Sequence, residues 1–154
     1  MDTMRDEPVG SFTLVEVGDL MNSEVITLPH TSTIYDAIRT MVQHGIRHVP
    51  ILEDGKLAAI ISDRNVRMMV SEGMSAEQRR EYLMNTSVLK HASRPVTTVK
   101  ETEMAHTAAK IFVSDRIGCL PVVDEEGRII GILTQTDLLA WLSENKQVRG
   151  AGIE

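Results

Sequence analysis

Two strand-to-helix junctions carry side chains that could bind a small ligand. The first reads Ser62-Asp63-Arg64-Asn65 and the second reads Thr134-Gln135-Thr136-Asp137. A hydroxyl at the end of a strand, followed three residues later by a carboxylate or amide, is the usual pattern of a helix N-cap. The same pattern could hold a ligand, because the free N–H groups of a helix N-terminus attract phosphate and a carboxylate accepts hydrogen bonds from hydroxyl groups. The spacing alone leaves both interpretations open.

Basic side chains near these junctions could bind an anion. They are Arg47, His48, Arg64, Arg67 and Arg116. Arg47 and His48 directly precede a Val-Pro segment, whereas the second copy of that segment is preceded by Gly118 and Cys119 in place of a basic pair. Because side chains alternate along a strand, only one of Arg47 and His48 can face inward. Ion pairs with nearby acids, or a solvated face, explain the arginines equally well.

The junctions recur because the chain contains an internal repeat. A shift of 71 positions pairs Val25 with Val96, Ala37 with Ala108 and Pro50 with Pro121, and one extra residue in the second turn then pairs Gly55 with Gly127. Such a repeat usually marks two copies of one supersecondary unit that bury their apolar faces against each other.

Each copy predicts the element order β-α-β-β-α, so the predicted fold class is α+β. First strands are expected at 25–28 and 96–99. Acidic residues and a glycine at 53–55 and 124–127 predict tight turns, between strands 46–52 and 57–62 and between strands 117–123 and 128–134. Each intervening helix has one apolar face. These faces comprise Ile34, Ala37, Ile38, Met41 and Val42 in the first copy, and Ala105, Ala108, Ala109, Phe112 and Val113 in the second.

Capping patterns help to place the boundaries. Thr33 with Asp36 predicts the start of the first long helix, and Gly45 predicts its end. A capping box of Ser75 and Gln78 predicts a helix between the copies. We expect a lead-in over 1–14, repeats over 15–70 and 86–145, a linking helix over 71–85 and a flexible tail over 146–154.

Composition and charge narrow the class of protein. A net charge of −6 argues against binding to nucleic acid, which needs a basic surface. Cys119 is the only cysteine, so no intramolecular disulfide can form, and its strand position predicts an inert buried thiol. No apolar run approaches membrane-spanning length and no signal-peptide pattern opens the chain, which predicts a cytoplasmic protein without a membrane partner. Because the sequence lacks metal-ligand spacings and catalytic motifs, we predict that the protein has no metal site and is not an enzyme.

The ordered elements resemble two tandem copies of the cystathionine β-synthase (CBS) domain. The resemblance is carried by the Pro-containing strands, the Gly turns and the Ser/Thr-x-x-Asp/Asn junctions, and it covers both copies. It implies a Bateman module, which is a tandem CBS pair packed with pseudo-two-fold symmetry, here standing alone. The family also implies clefts between the repeats for adenosine-containing ligands, and a homodimer.

The resemblance assigns roles to the residues that match its motif. Thr134 and Asp137 match, with the carboxylate expected on the ribose hydroxyls. Ser62 matches, but Asn65 lacks the charge that strengthens such bonds, so a weaker ribose subsite or a different ligand is expected there. The other predicted nucleotide contacts are Arg47, His48, Arg64 and Arg116 for phosphate, Pro121 in the Pro-containing strand, and Thr27 and Thr98 beside the adenine. The positions beside the adenine are explained equally well as core.

The leading hypothesis is a regulatory module that senses an adenine nucleotide or a related adenosyl ligand in a cleft shared by two unequal copies. AMP, ADP and ATP are expected ahead of NAD and S-adenosylmethionine, and no cofactor is required. The output would be a change of conformation or of dimer packing. The alternative is a dimerisation scaffold with degenerate clefts that binds an enzyme or transporter. Asn65 and the Gly118-Cys119 pair favour that alternative.

Overall fold

The computed structural model describes residues 15–69 and 73–144, and the predicted lead-in, the predicted tail and positions 71–72 of the linker lie outside these ranges. The described residues confirm the α+β class and the repeated order of helix, hairpin and helix. The elements are α1 (Val17–Leu20), β1 (Leu28–Pro29), α2 (Ile34–His44), β2 (His48–Glu53), β3 (Lys56–Ser62), α3 (Asp63–Met69), α4 (Ala76–Asn85), a 3₁₀ turn (Val88–Lys90), α5 (Ala105–Asp115), β4 (Cys119–Val123), β5 (Ile129–Thr134) and α6 (Gln135–Glu144).

The chain folds into two compact units whose borders cross the sequence repeats. One, here called the 24–97 unit, comprises residues 24–97 with 125–129. The other, here called the 98–144 unit, comprises residues 98–124 and 130–144 together with 15–23. The segment that opens the first repeat therefore packs with the second, and residues 86–97 pack with the first. The borders of the sequence repeats themselves stay a prediction.

Residues 15–23 and residues 86–97, here called the exchanged segments, are joined to their units by the same backbone contact. In both units the N-terminus of the long helix exchanges two hydrogen bonds with the exchanged segment, and the two sets are related by the 71-residue shift. The bonds run from Val17 N to Glu103 O (2.8 Å) and from Ala105 N to Val15 O (2.7 Å) in one unit, and from Val88 N to Ser32 O (2.9 Å) and from Ile34 N to Thr86 O (3.0 Å) in the other.

The hairpins form where the turn chemistry predicts them. In the 24–97 unit, β2 pairs antiparallel with β3 and parallel with the short β1. Asp54 and Gly55 both have positive φ angles, 51° and 75°, which is the geometry of the turn that best matches strand twist. In the other hairpin β4 pairs with β5, and Gly127 has a φ of 79°.

The predicted first strands are wrong in extent. Of residues 25–28 only Leu28 enters β1, and of residues 96–99 only Val99 is bridged, in parallel with Val122. A run of β-branched residues forms a strand only where a partner backbone lies alongside. Each predicted strand meets the Pro-containing strand at its last residue, so the ladder is one or two residues long.

The long helices confirm the predicted apolar stripe except at its edge. Thr33 and Asp36 form the predicted capping box of α2, and Gly45 ends that helix in the left-handed conformation. The stripe buries three residues of each helix, which are Ile34, Ala37 and Met41 in α2, and Ala105, Ala108 and Phe112 in α5. Val42 and Val113 are instead 78% and 80% exposed. Each lies eight residues into the stripe, about 80° round the helix from its first member, and so falls outside the buried face.

Each unit has its own apolar core, built with few aromatic residues. The core of the 24–97 unit comprises Ile34, Ala37, Met41, Val49, Ile51, Ala59, Ile61 and Val88. The core of the 98–144 unit comprises Val17, Val99, Ala105, Ala108, Phe112, Leu120, Val122, Leu133 and Leu138. In α4, which has no buried residue, Ser75 and Gln78 form the predicted capping box. The strand-to-helix junctions follow β3 and β5, whose inner residues these cores hold in place.

Candidate functional site

The Thr134–Asp137 junction is a reciprocal cap at the start of α6. Thr134 N donates to Asp137 Oδ2 (2.8 Å), and Asp137 N donates to Thr134 Oγ1 (3.2 Å). The structural interpretation of this motif is therefore confirmed. Among the described residues, no donor lies within hydrogen-bonding distance of the other carboxylate oxygen, Oδ1. The cap thus leaves half of the carboxylate open to a ligand hydroxyl.

The Ser62–Asn65 junction has the same cap but uses more of its polar atoms. Ser62 N and Ser62 Oγ both donate to Asn65 Oδ1, at 2.9 and 2.8 Å, and Asn65 N donates to Ser62 Oγ at 3.1 Å. The amide nitrogen, Nδ2, donates to Ser93 Oγ at 3.3 Å. Both ends of the Asn65 amide are therefore bonded within the 24–97 unit.

Sequence reasoning missed the residues that stand beside these junctions. Ser93 exchanges two backbone hydrogen bonds with Ile60, of 3.1 and 2.8 Å, and Asn22 exchanges two of 2.9 Å with Ile132. These bridges hold Ser93 next to β3 and Asn22 next to β5, two residues before each junction begins. The signal that could have found them is the repeat itself, since the shift of 71 pairs Asn22 with Ser93.

The basic residues of the 24–97 unit lie around the start of α3. Asp63 N donates to Arg47 O at 2.8 Å, so Arg47 and the first residue of α3 are adjacent. Arg47 and Arg64 are exposed, and His48 is half-buried. Asp63 pairs with Arg67 at 3.0 Å, with both side chains well exposed. That pair confirms the structural interpretation for Arg67 and contributes little to stability.

His48 is held in an environment that disfavours its charged form. Burial is the main cause that lowers its pKa, the Arg47 guanidinium lowers it further, and the Asp63 carboxylate opposes both. His48 pairs across β2 and β3 with Ser62, the first residue of the junction. His48 would therefore carry a charge beside this junction only if an anion or a lower pH favoured the imidazolium.

The stability of the protein should fall as the pH drops below about 6.5, the ordinary pKa of histidine, because of His48. The unfolded chain binds the proton more readily than the folded chain, so stability rises with pH between the lowered pKa and 6.5. We expect the decrease in melting temperature from pH 7.5 to pH 5.5 to be smaller in His48→Gln than in the wild type. His44→Gln, at an exposed histidine, serves as the control. Equal decreases in wild type and His48→Gln would contradict this prediction.

The 98–144 unit places neutral groups where the other unit is basic. Cys119 is buried, and burial followed by the charge of Asp137 raises the pKa of its thiol to about 12. The predicted burial of this thiol is thus confirmed. Gln135 N donates to Gly118 O at 3.1 Å, and its side-chain Nε2 donates to Ile117 O at 3.0 Å. Gln135 therefore clamps the segment before β4 onto the start of α6.

Arg116 ends α5 and is exposed, so its charge is available in this unit. Its φ of 54° lies in the left-handed region, and its counterpart in the repeat is Gly45, with a φ of 62°. A residue other than glycine costs about 1–2 kcal/mol in that region, so replacing Arg116 with glycine would remove this cost. Glycine loses more conformational entropy on folding, which offsets about 0.5–1 kcal/mol of that gain.

The variant Arg116→Gly should therefore melt about 1–3 °C higher than the wild type, as follows from a net gain of somewhat under 1 kcal/mol. Gly45→Arg, the reciprocal change, should melt lower. Thermal unfolding followed by circular dichroism measures both. An Arg116→Gly variant that melts at or below the wild-type temperature would show that Arg116 makes a compensating contact.

The remaining predicted residues lie along the strands next to the junctions. Pro121 is fully buried, and its carbonyl accepts a hydrogen bond from Val99 N at 3.1 Å. Thr98 precedes this contact and is exposed, and Thr27 is half-buried just before β1. The 98–144 unit thus holds Thr98, Arg116, Pro121, Thr134 and Asp137, and the 24–97 unit holds Thr27, Arg47, His48, Ser62, Arg64 and Asn65. Their contact with a ligand stays a prediction.

Residues 15–69 and 73–144 offer neither a metal-binding cluster nor a membrane-spanning helix. These ranges contain no group of three or more His, Cys, Asp or Glu side chains placed to hold a metal ion. No helix within them has the length and apolar character that crossing a bilayer requires.

The family model of the CBS domain matches residues 17–72 and 87–144, one match for each sequence copy. The chain belongs to the CBS-domain family. It is 33% identical over 132 residues to the uncharacterised protein MJ1225 of Methanocaldococcus jannaschii, a match that covers 82% of this chain and 47% of the relative. It is 31% identical to the CBS domain-containing protein DDB_G0289609 of Dictyostelium discoideum, with 83% of this chain and 91% of that protein covered.

A solved CBS pair resembles this chain over most of its length. The CBS domain pair of protein MJ0100, crystallised with 5′-methylthioadenosine and S-adenosyl-L-methionine, has a TM-score of 0.73 and 25% identity. The match covers 84% of this chain and 96% of that one. The tandem CBS pair is thus the shared unit, although the chain spans only about half the length of MJ1225.

Proposed function

We propose that this CBS pair is a regulatory module that binds an adenine nucleotide or a related adenosyl ligand. The observation that carries the proposal is the open Oδ1 of Asp137 at the cap of α6, in a chain similar to a CBS pair that binds two adenosyl compounds. Candidate ligands are AMP, ADP and ATP, followed by NAD and S-adenosylmethionine, and no cofactor is required.

The roles of the residues follow from their chemistry. Asp137 Oδ1 accepts hydrogen bonds from the ribose hydroxyls while Oδ2 continues to cap α6, so binding does not require the helix to fray. Such bonds to a charged acceptor are stronger than those to an amide. Backbone groups near Thr98, with Ile117, contact the adenine. Arg47, Arg64 and Arg116 are the cations available to a phosphate, and the His48 imidazole can donate a hydrogen bond to it.

The output of the module is a shift between conformations. A ligand that binds one conformation better than another raises the population of the first by its difference in affinity. It also stabilises the native state in proportion to its occupancy. A change in dimer packing would pass the signal to a partner. We expect the module to act in the cytoplasm and to catalyse no reaction itself.

A titration tests this function directly. We expect calorimetry with AMP, ATP, 5′-methylthioadenosine and S-adenosylmethionine to detect binding of at least one compound, together with a higher melting temperature at saturation. If none of these compounds binds and none shifts the melting temperature, the ligand-binding function is wrong.

Exposed apolar side chains favour a second candidate function, a scaffold for dimerisation and partner binding. In the 24–97 unit, α2 packs on α3 and the pair exposes Val42 and Met68, at 78% and 74%. In the 98–144 unit, α5 packs on α6 and the pair exposes Val113 and Leu139, at 80% and 64%. Exposed apolar side chains on neighbouring helices are candidates for a protein interface. We propose that a second copy of the chain covers these helix pairs, in a homodimer to which an enzyme or transporter could bind.

The two functions differ in what should be found with the purified protein. A ligand-binding module responds to an adenosyl compound whether or not a partner is present. A scaffold with degenerate clefts has the same melting temperature with and without each compound. It also co-purifies with another protein. Both can hold for one chain if the dimer is the element that the ligand reorganises.

A further inference from the structure

We propose that Ser93 closes the Ser62–Asn65 junction against ligand, so that each chain binds one adenosyl ligand, at the Thr134–Asp137 junction. This inference rests on the proposed function and assigns the two junctions of the repeat different roles. Ser93 acts as a specificity-determining residue that occupies the place of a ligand hydroxyl.

The first step is the use of the Asn65 amide. Its oxygen already accepts from the backbone and the hydroxyl of Ser62, and its nitrogen donates to Ser93 Oγ. A ribose hydroxyl that approached Asn65 would compete with the Ser93 hydroxyl, an oxygen of the same kind, for the N–H that Ser93 accepts, and would find the amide oxygen already bonded twice. One neutral hydrogen bond would be exchanged for another, so the ligand gains little at this position.

The second step is the anchoring of Ser93. Its N donates to Ile60 O at 2.8 Å and its carbonyl accepts from Ile60 N at 3.1 Å. Ile60 lies in β3, the strand that ends in Ser62, so Ser93 and the junction share one rigid support. A hydroxyl whose backbone is held in this way competes with a ligand hydroxyl at an entropic advantage, since only the rotation of the serine side chain remains to be ordered.

The third step is the contrast with the other unit. There the shift of 71 places Asn22 where Ser93 stands, bridged to Ile132 of β5 in the same manner. Asp137 nevertheless keeps Oδ1 without a donor among the described residues. The junction with the charged acceptor is therefore the open one, and the junction with the neutral amide is closed.

Calorimetric titration with AMP and with 5′-methylthioadenosine tests the closure. We expect one site per wild-type chain, and at least a tenfold loss of affinity in Asp137→Asn with no second site left behind. Adding Asn65→Asp together with Ser93→Ala to Asp137→Asn should restore binding at least tenfold. Adding Asn65→Asp alone, with Ser93 in place, should restore none, which makes it the matched control.

The outcomes separate this inference from the function on which it rests. If neither probe binds the wild type, the proposed function fails. If the wild type has two sites, or if binding persists undiminished in Asp137→Asn, the closure by Ser93 is wrong while ligand binding stands. Failure of the combined variant to regain binding, in a protein that melts as cooperatively as its parent, also overturns the closure. Ser93→Ala alone changes one exposed side chain and should add a second, weaker site to the wild type.

Discussion

Asp137→Asn should lower the affinity for an adenosyl ligand by about ten- to a hundredfold. The change keeps the size of the side chain and an acceptor for Thr134 N, so the cap of α6 can persist. It removes the negative charge that strengthens the bonds from the ribose hydroxyls. Hydrogen bonds to charged groups contribute about 1.5–3 kcal/mol, and each 1.4 kcal/mol is a factor of ten in affinity. Calorimetry with the tightest-binding probe measures the loss.

Asp36→Asn is the control for the structural part of this change. Thr33 N donates to Asp36 Oδ2 at 2.9 Å, and Asp36 N donates to Thr33 Oγ1 at 3.2 Å, which nearly matches the cap at Asp137. Both substitutions remove a negative charge from the first turn of a helix, where it interacts favourably with the helix dipole. Each should therefore lower the free energy of unfolding by about 0.3–1 kcal/mol. Only Asp137→Asn should weaken ligand binding. An equal loss in both variants would mean that Asp137 acts on the ligand through stability alone.

Local chemistry made much of the fold predictable from the sequence. The Asp54-Gly55 turn, the Thr33–Asp36 cap and the end of α2 at Gly45 each depend on residues within four positions of one another. Such features need no knowledge of the rest of the chain. The predicted strand over 25–28 depended on a partner elsewhere, and that partner reaches only its last residue.

The candidate site was predictable to the same extent and for the same reason. The Thr134–Asp137 pair lies within one turn, so its spacing revealed the cap. The contact between Asn65 and Ser93 joins residues 28 positions apart and exists because Ser93 is bridged to β3. No local pattern signals that contact. The sequence therefore predicted that the Asn65 junction is weaker or takes a different ligand, whereas the Ser93 hydroxyl bonded to Asn65 became apparent only from the tertiary structure.

Val42→Asp and Val113→Asp should each weaken a homodimer of this chain by about a hundredfold or more. Both valines lie at the same position of the repeated helix and are about four-fifths exposed in one chain. Burying a valine contributes at most about 1.5–3 kcal/mol, and a two-fold interface contains two copies of each. An aspartate there would also have to lose its hydration without a partner, which adds to the loss. Sedimentation equilibrium of wild type and variants measures the dissociation constant.

Met84→Asp is the control, because Met84 is an apolar residue of α4 that is 46% exposed and lies on neither helix pair. We expect it to leave the association unchanged, and we expect all three variants to melt within a few degrees of one another as monomers, since exposed positions contribute little to folding. A wild type that stays monomeric at high concentration would overturn the homodimer. Valine variants that associate as well as Met84→Asp would place the dimer interface elsewhere. If Val113→Asp disrupts the dimer and Val42→Asp does not, only the α5–α6 pair takes part, and the interface would then belong to the same unit as the open Asp137 junction. A ligand bound at that junction could in that case alter association directly, because α6 both begins at the junction and carries the exposed Leu139.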